Sequence, residues 1–306
     1  MKDLFGREIR GLRISLTQRC NLNCVYCHHE GESAARSEMT ADEVIRILGV
    51  AKTVGVRRVK YTGGEPLLRE DLAEIVRRTL ELEMDDVAIT TNGSLLAKQA
   101  QALAGAGLKR MNISLPSINP CVYSSLTKGE IKDTFRGIAL AKSLGMEIKI
   151  NVVIMKGINE SEVDELIDYS KGVGCSLQLI ELEDLNLDRG FFNDHHIDLG
   201  SLEQRLASKA DQIEERLGMN GRRRYIFGDS LMVEVVRATN NPHFCMGCTR
   251  LRITSDGKLK PCLMRSDNLV DVLGPIRQGA PDSYLRLLFE KAIARRSPYY
   301  VGPSLQ

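Results

Sequence analysis

The chain has 306 residues, with 42 Lys and Arg against 40 Asp and Glu and a formal net charge of +2; this balance offers no global attraction to nucleic acid or to an anionic membrane. Its length suits about two domains with a well-buried core. No apolar run approaches the roughly 18 residues of a membrane span, and the start, Met1-Lys-Asp-Leu-Phe-Gly-Arg-Glu-Ile-Arg10, lacks the apolar centre of a secretory signal. The expected location is the reducing cytoplasm, where clustered cysteines hold metal more often than disulfides.

Along the chain, short β-branched runs alternate with helical patterns of about 15 residues, which is how parallel βα units read. Strands are predicted from Leu12 to Leu16, Val56 to Thr62, Val87 to Thr91, Met111 to Leu115, Ile148 to Met155 and Ser176 to Leu182. Two of the helices between them are expected to open with capping boxes, Thr40-Ala-Asp-Glu43 and Asn159-Glu-Ser-Glu162, and four to end near Gly55, Gly107, Gly145 and Gly174. Six such units make an α/β fold, a partial (β/α)6 version of the eight-unit TIM barrel, whose chemistry belongs at the C-terminal ends of the strands. After the sixth strand the rhythm stops. A helix from about Leu199 to Leu217, the run Arg222-Arg223-Arg224 and hairpins turning at Gly228-Asp229 and Ser255-Asp256-Gly257 read as a smaller C-terminal α+β domain. The expected division is 1–220 and 221–306.

Six of the eight cysteines form two groups, Cys20, Cys24 and Cys27 after the first strand, and Cys245, Cys248 and Cys262 in the C-terminal segment. Three thiolates suit a [4Fe–4S] cubane with one iron left open for a ligand, whereas a structural zinc site is closed by four. The sequence therefore reads as two clusters, with zinc in both sites of a non-catalytic scaffold as the rival. His28 and His29 lie directly against Cys27 and read as loop residues; Cys121 and Cys175 read as ordinary buried thiols. Other polar signals gather at strand ends: Lys60-Tyr-Thr-Gly63-Gly64-Glu65-Pro66, whose glycines permit close backbone approach, Thr90-Thr91-Asn92-Gly93, and Asn112-Ile-Ser114. Arg250 and Arg252, two apart on an expected strand, project from one face beside the second cysteine group, and paired guanidinium groups there suit an anionic ligand.

The spacing Cys20-Asn-Leu-Asn-Cys24-Val-Tyr-Cys27 resembles the signature of the radical S-adenosylmethionine (SAM) enzymes. From about Phe5 to Leu273 the chain resembles the GTP 3′,8-cyclase family of molybdenum-cofactor biosynthesis, in its archaeal branch. The matching motifs are Thr62-Gly-Gly-Glu-Pro-Leu-Leu-Arg69, Thr90-Thr-Asn-Gly93, Asn112-Ile-Ser-Leu115, Lys149-Ile-Asn151 and Phe244-Cys-x-x-Cys-Thr-Arg-x-Arg252, with Ser255-Asp-Gly-Lys258 and Cys262. The resemblance implies two [4Fe–4S] clusters, the first bound by Cys20, Cys24 and Cys27 and the second by Cys245, Cys248 and Cys262. It gives Tyr26, Gly64 and Ser114 to SAM, and Arg13, Lys60, Thr90, Lys149, Arg250, Leu251 and Arg252 to GTP, Leu251 through its backbone. It implies that a 5′-deoxyadenosyl radical takes a hydrogen from C3′ of GTP and that C3′ then bonds to C8 of guanine. The implied partners are GTP, an electron donor of flavodoxin or ferredoxin type and a downstream cyclic pyranopterin monophosphate synthase, with neither nucleic acid nor membrane. The chain departs from the family pattern at Glu183, where many relatives have Met, at Pro116, and at its end, Tyr300-Val-Gly302-Pro-Ser-Leu-Gln306, where bacterial members carry a Gly-Gly tail that reaches the active site. The expectation is that residues after Gly302 are dispensable. A different radical SAM enzyme with an auxiliary cluster, such as a peptide-modifying one, is the other rival.

Overall fold

The computed structural model describes residues 1–32, 37–216, 219–228 and 231–301. Six strands, β1 (Gly11–Ser15), β2 (Arg58–Thr62), β3 (Asp86–Thr91), β4 (Arg110–Ser114), β5 (Glu147–Ile154) and β6 (Ser176–Glu181), lie close to their expected positions and pair in parallel in chain order. Helices α1 (Ala41–Thr53), α2 (Leu72–Glu81), α3 (Leu96–Gly105), α4 (Pro120–Thr127), α5 (Ile131–Ser143) and α6 (Val163–Gly172) connect them. The Thr40 capping box forms as expected: its hydroxyl accepts from the Glu43 amide at 3.2 Å, and the Glu43 carboxylate accepts from the Thr40 amide at 2.8 Å.

Strand periodicity separates two environments. On β5, Ile150, Val152 and Ile154 are buried in the main core, while Lys149, Asn151 and Val153 line an interior cavity. A packed eight-strand barrel fills its inside with Val, Ile and Leu. This one carries Arg, Lys, Asn, Ser and Gln there, around an open cavity.

The remaining elements are α7 (Arg189–His195), α8 (Gly200–Lys209), β7 (Gln212–Arg216), β8 (Arg222–Phe227), β9 (Leu231–Val236), α9 (Pro242–Met246), β10 (Arg250–Ile253), β11 (Lys258–Lys260), β12 (Val270–Asp271), α10 (Leu273–Arg277) and α11 (Asp282–Ala294). Among the described residues all strands share one twelve-stranded sheet in the order β12-β11-β10-β1-β2-β3-β4-β5-β6-β9-β8-β7. The segment after residue 220 thus extends both edges: β9 pairs in parallel with β6, and β10 in parallel with β1. The hairpins β8–β9 and β10–β11 form as expected, although Asp229 of the first turn lies outside the described residues.

Three expectations are corrected. The helix from Leu199 stops at Lys209, and Gln212–Arg216 is strand β7, paired antiparallel with β8 from Gln212↔Ile226 to Arg216↔Arg222; sheet pairing overrides a weak helical pattern there, and Leu217 lies outside the described residues. Asn159 precedes a short 3-10 turn (Glu160–Glu162) but makes no side-chain cap bond there: its amide accepts from the Met155 amide at 2.8 Å and donates to the Pro116 and Val153 carbonyls at 2.7 and 2.9 Å, stapling the loop after β5 to the loop after β4. Cys121, at the exposed start of α4, is not buried; Cys175 is.

Candidate active site

The cavity occupies about 830 Å³ and runs from the strand ends into the barrel interior. Both cysteine groups line it. The first follows β1, and the Gly63-Gly64-Glu65 segment after β2 lies flat on it: the Gly64 amide donates to the Thr17 carbonyl at 2.6 Å and the Glu65 amide to the Arg19 carbonyl at 2.7 Å. A Cβ on Gly64 would collide with the Arg19 carbonyl, so only glycine allows this approach. Glu65, fully buried, anchors the segment by accepting from the Leu67 amide, the Thr91 hydroxyl and the Asn92 amide at 2.9, 2.7 and 2.7 Å.

The two cysteine groups differ electrostatically. Burial pushes the Cys20, Cys24 and Cys27 thiols up, Cys24 to about 12, with no cationic side chain among the causes of their shifts. Leu22 and His29 amides approach the Cys20 and Cys27 sulfurs at 3.5 and 3.4 Å. Burial would also raise Cys248, but Arg250, Arg296 and Arg7 bring it down to about 6. The carbonyls of this second group are held as well: Arg7 donates to that of Cys245 at 2.9 Å and buried Arg296 to that of Cys248 at 2.6 Å. The Tyr300 amide reaches the Cys245 sulfur at 3.5 Å. Among the described residues no three His, Cys, Asp or Glu side chains gather tightly enough for a single metal ion. Three thiols on each side of a wide cavity, with amides aimed at sulfur, fit iron–sulfur clusters in both places.

The sheet register sets the cationic groups. Arg13 on β1 stands opposite both Lys60 on β2 and Arg252 on β10. Glu30, in a tight turn after Cys27 with φ of 52°, enters between the arginines, at 2.5 Å from Arg252 and 3.5 Å from Arg13, and accepts from the Thr62 hydroxyl at 2.9 Å. Burial alone would raise its carboxyl; Arg13 and Arg252 hold it down near 2. Deeper in, Glu234 on β9 meets Arg222, Lys149, Arg216 and Arg224 at 2.6, 2.9, 3.2 and 3.9 Å and is likewise held near 2, again against burial. Burial, together with Arg13, Arg110, Lys149 and Arg222, lowers Lys60 well below the ordinary lysine range. Arg250 donates to the Asn220 side chain at 3.1 Å and lies 5.8 Å from the centre of the Phe244 ring.

Of the residues singled out in the sequence, Cys20, Cys24, Cys27, Cys245, Cys248, Cys262, Tyr26, Gly64, Ser114, Arg13, Lys60, Thr90, Lys149, Arg250 and Arg252 all line this one cavity. Leu251 does not; its side chain is packed in the core on the other face of β10. Glu183, Tyr299 and Tyr300 also line the cavity, whereas Gly302 to Gln306 lie outside the described residues. Sequence reasoning missed Glu30, Glu234, Arg216 and the inward turn of Arg222. The available signal was a lone carboxylate in the apolar run Leu231-Met-Val-Glu234-Val-Val and the two-residue spacing of Arg222 and Arg224.

Comparison with known proteins agrees with this geometry. Residues 14–170 match the radical SAM superfamily and residues 175–301 the Molybdenum Cofactor Synthesis C family. A protein of Methanocella arvoryzae named probable GTP 3′,8-cyclase is 46% identical over 301 residues, 97% of this chain and 94% of its own. Proteins of the same name from Methanothermobacter thermautotrophicus (42% over 308 residues, 98% and 99% of the two chains) and Pyrococcus horikoshii (43% over 308 residues, 99% of each) are similar throughout. Among solved structures, Streptococcus suis SuiB bound to its precursor peptide SuiA shares the fold, with a TM-score of 0.66 at 20% identity over 84% of this chain and 60% of that one. anSMEcpe with bound AdoMet and a peptide shares it at a TM-score of 0.53 and 19% identity over 84% and 75%. The chain belongs to the radical SAM superfamily and, within it, to the family whose curated members carry the name GTP 3′,8-cyclase.

Proposed function

We propose that the protein is a radical SAM lyase that converts GTP to (8S)-3′,8-cyclo-7,8-dihydroguanosine 5′-triphosphate, the first step of molybdenum or tungsten cofactor synthesis. The observation that carries this reading is the meeting of two three-cysteine groups and a set of inward cations in one cavity. When bound, the first cluster and SAM supply a 5′-deoxyadenosyl radical. In the overall conversion a hydrogen is lost from C3′, C3′ bonds to C8, and one further electron from the reductant and one proton from solvent complete the dihydro product.

The protein's share is placement. Cys20, Cys24 and Cys27 hold the first cluster; Tyr26, Gly64 and Ser114 face SAM. Cys245, Cys248 and Cys262 would hold the second, which would offer the guanine base a site beside Arg250 and Arg252. Arg13, Lys60, Thr90, Lys149, Arg250 and Arg252 hold GTP, with the backbone of Leu251 between the last two. A triphosphate carries about four negative charges, which this cationic lining neutralises through charge-assisted bonds. We assign the second cluster and the Arg250–Arg252 part of the substrate site to residues 221–306, and radical generation with the remaining GTP contacts to 1–220. The electron donor is of flavodoxin or ferredoxin type, the product passes to a cyclic pyranopterin monophosphate synthase, and the setting is the cytoplasm.

Anaerobic reconstitution followed by incubation with SAM, reductant and GTP tests the reading by mass spectrometry of the nucleotide. Cyclised guanosine triphosphate, with 5′-deoxyadenosine, is expected. SAM cleavage without any change to GTP would overturn it.

A further inference from the structure

The start of the chain and the segment after α11 meet at the second cysteine group. Residues Asp3 to Arg7 form a tight turn: one Asp3 oxygen accepts from the Phe5 and Arg7 amides at 2.9 and 3.0 Å, and Gly6 takes a φ of 75°, a left-handed conformation that favours glycine. The other Asp3 oxygen accepts from two guanidinium groups, Arg7 at 2.8 Å and Arg296 at 2.7 Å. Each arginine then reaches one cysteine, Arg7 the Cys245 carbonyl at 2.9 Å and Arg296 the Cys248 carbonyl at 2.6 Å. The side chains of Asp3, Arg7 and Arg296 are 0, 5 and 1% exposed, so a change of charge among them is felt with little screening by water.

Two guanidinium groups against one carboxylate leave this triad with a positive charge in excess, and among the described residues no other carboxylate is paired with either arginine. An uncompensated buried charge is costly. The complement at hand is the cysteine group itself, since a thiolate-bound cluster is anionic and gains a further negative charge on reduction. Arg296 Nε is in addition a buried donor without a partner. On the guanidinium that grips Cys248, such a donor suits a sulfur acceptor. The first cysteine group has no cation among the charges that act on it. Other charges act around the second group, Arg250, Arg252 and Lys260 with Glu30 and Glu183; they are common to every variant below and cancel in the differences.

We propose that Asp3, Arg7 and Arg296 are positioning residues for the second cluster: the two arginines fix the backbone at Cys245 and Cys248 and set a net positive charge against the cluster, which raises its reduction potential, and Asp3 limits the size of that charge. This rests on the reading that Cys245, Cys248 and Cys262 hold a cluster, and it does not depend on which nucleotide binds.

The test is a redox titration of the anaerobically reconstituted full chain followed by electron paramagnetic resonance, with iron measured in every protein and the two cluster signals assigned from Cys24→Ala and Cys248→Ala. Asp3→Asn, which keeps the shape and removes the negative charge, should raise the midpoint of the second cluster. Arg296→Gln and Arg7→Gln should lower it, and Arg296→Lys, which keeps the charge without the fork, should bring it back toward wild type. The midpoint of the first cluster should stay put in all four variants. Shifts of opposite sign from changes that break the same ion pair are what a merely structural triad would not give. The inference is overturned if Asp3→Asn and Arg296→Gln move the second midpoint in the same direction or not at all, or if both clusters shift together. Should Arg296→Gln fail to take up the second half of the iron, Arg7→Gln reads the same charge; loss of the second cluster from Asp3→Asn, Arg7→Gln and Arg296→Gln alike would make the triad a fold element only and overturn the tuning. Wild type with a single cluster would remove the second-cluster reading itself, whereas two clusters with unmoved midpoints would overturn the triad alone.

Discussion

Replacing Glu30 with Gln removes the carboxylate that lies between Arg13 and Arg252, 3.5 and 2.5 Å away. Its carboxyl is held near 2 against an ordinary 4.5 although burial pushes the other way, and that difference corresponds to about 3 kcal/mol in favour of the charged form. Because the folded-state value is depressed, this stabilisation is fully present above pH 4.5 and is lost as pH falls toward 2. At pH 7 E30Q should therefore cost about 2–3 kcal/mol, since Gln keeps the hydrogen bond with Thr62 while the opposed arginines lose their counter-ion. R252Q should be comparably costly, because it leaves Glu30 buried with Arg13 as its nearest cation. The double variant removes both charges, so it should cost less than the sum by about 1.5–3 kcal/mol. Anaerobic urea unfolding of the four proteins, with cluster content matched by iron analysis, gives the cycle. Additive losses, or an unchanged midpoint in E30Q, would show that Glu30 does not hold the arginine pair and that this electrostatic account is mistaken.

Cys24→Ala should abolish reductive cleavage of SAM, whereas Cys248→Ala should still release 5′-deoxyadenosine without cyclised product; equal loss of cleavage would refute the assignment of the two cysteine groups. Arg250→Ala should weaken GTP binding by about 1.5–3 kcal/mol with SAM affinity intact, and Arg250→Lys should recover little because Lys lacks the fork; unchanged calorimetric affinity in both variants would place the nucleotide elsewhere. Gly64→Ala forces its Cβ into the Arg19 carbonyl, so SAM cleavage should fall sharply while circular dichroism is preserved; wild-type cleavage rates in that variant would sink the close-approach argument.

Local patterns carried much of this structure into view. The barrel strands were legible because each is a short run with one apolar face, as on β5, where Ile150, Val152 and Ile154 alternate with Lys149 and Asn151. The Thr40 capping box was legible because its partners lie three residues apart. What distance along the chain hides was not. Nothing local to Arg250–Ile253 says that it pairs with β1, yet that pairing sets Arg252 against Arg13. Gln212–Arg216 read as helix because its strand partner lies beyond it in the chain. Asn159 resembled a cap, but its side chain bonds to Met155 and Val153 just before it and to the Pro116 carbonyl, which only the tertiary fold brings near. Glu234 stood out as a carboxylate among apolar residues, while its cationic ring required the positions of β5, β7 and β8.

The attachment of β9 beside β6 and β10 beside β1 has a consequence for how the chain is made. The outer neighbour of β1, strand β10, is synthesised more than two hundred residues later, a long loop to close before the contact repays it. Until then a nascent six-strand sheet emerges from the ribosome with two bare edges, the condition that invites edge-to-edge association. The buried Arg296–Asp3 pair and the Arg7 bond to the Cys245 carbonyl join the first few residues to segments made more than two hundred residues later, so they too form late. The second cysteine group is thus ordered after the six barrel strands have been made. Expression at lower temperature, with slower synthesis and longer residence with chaperones, should raise the soluble, iron-loaded fraction more than it raises total yield.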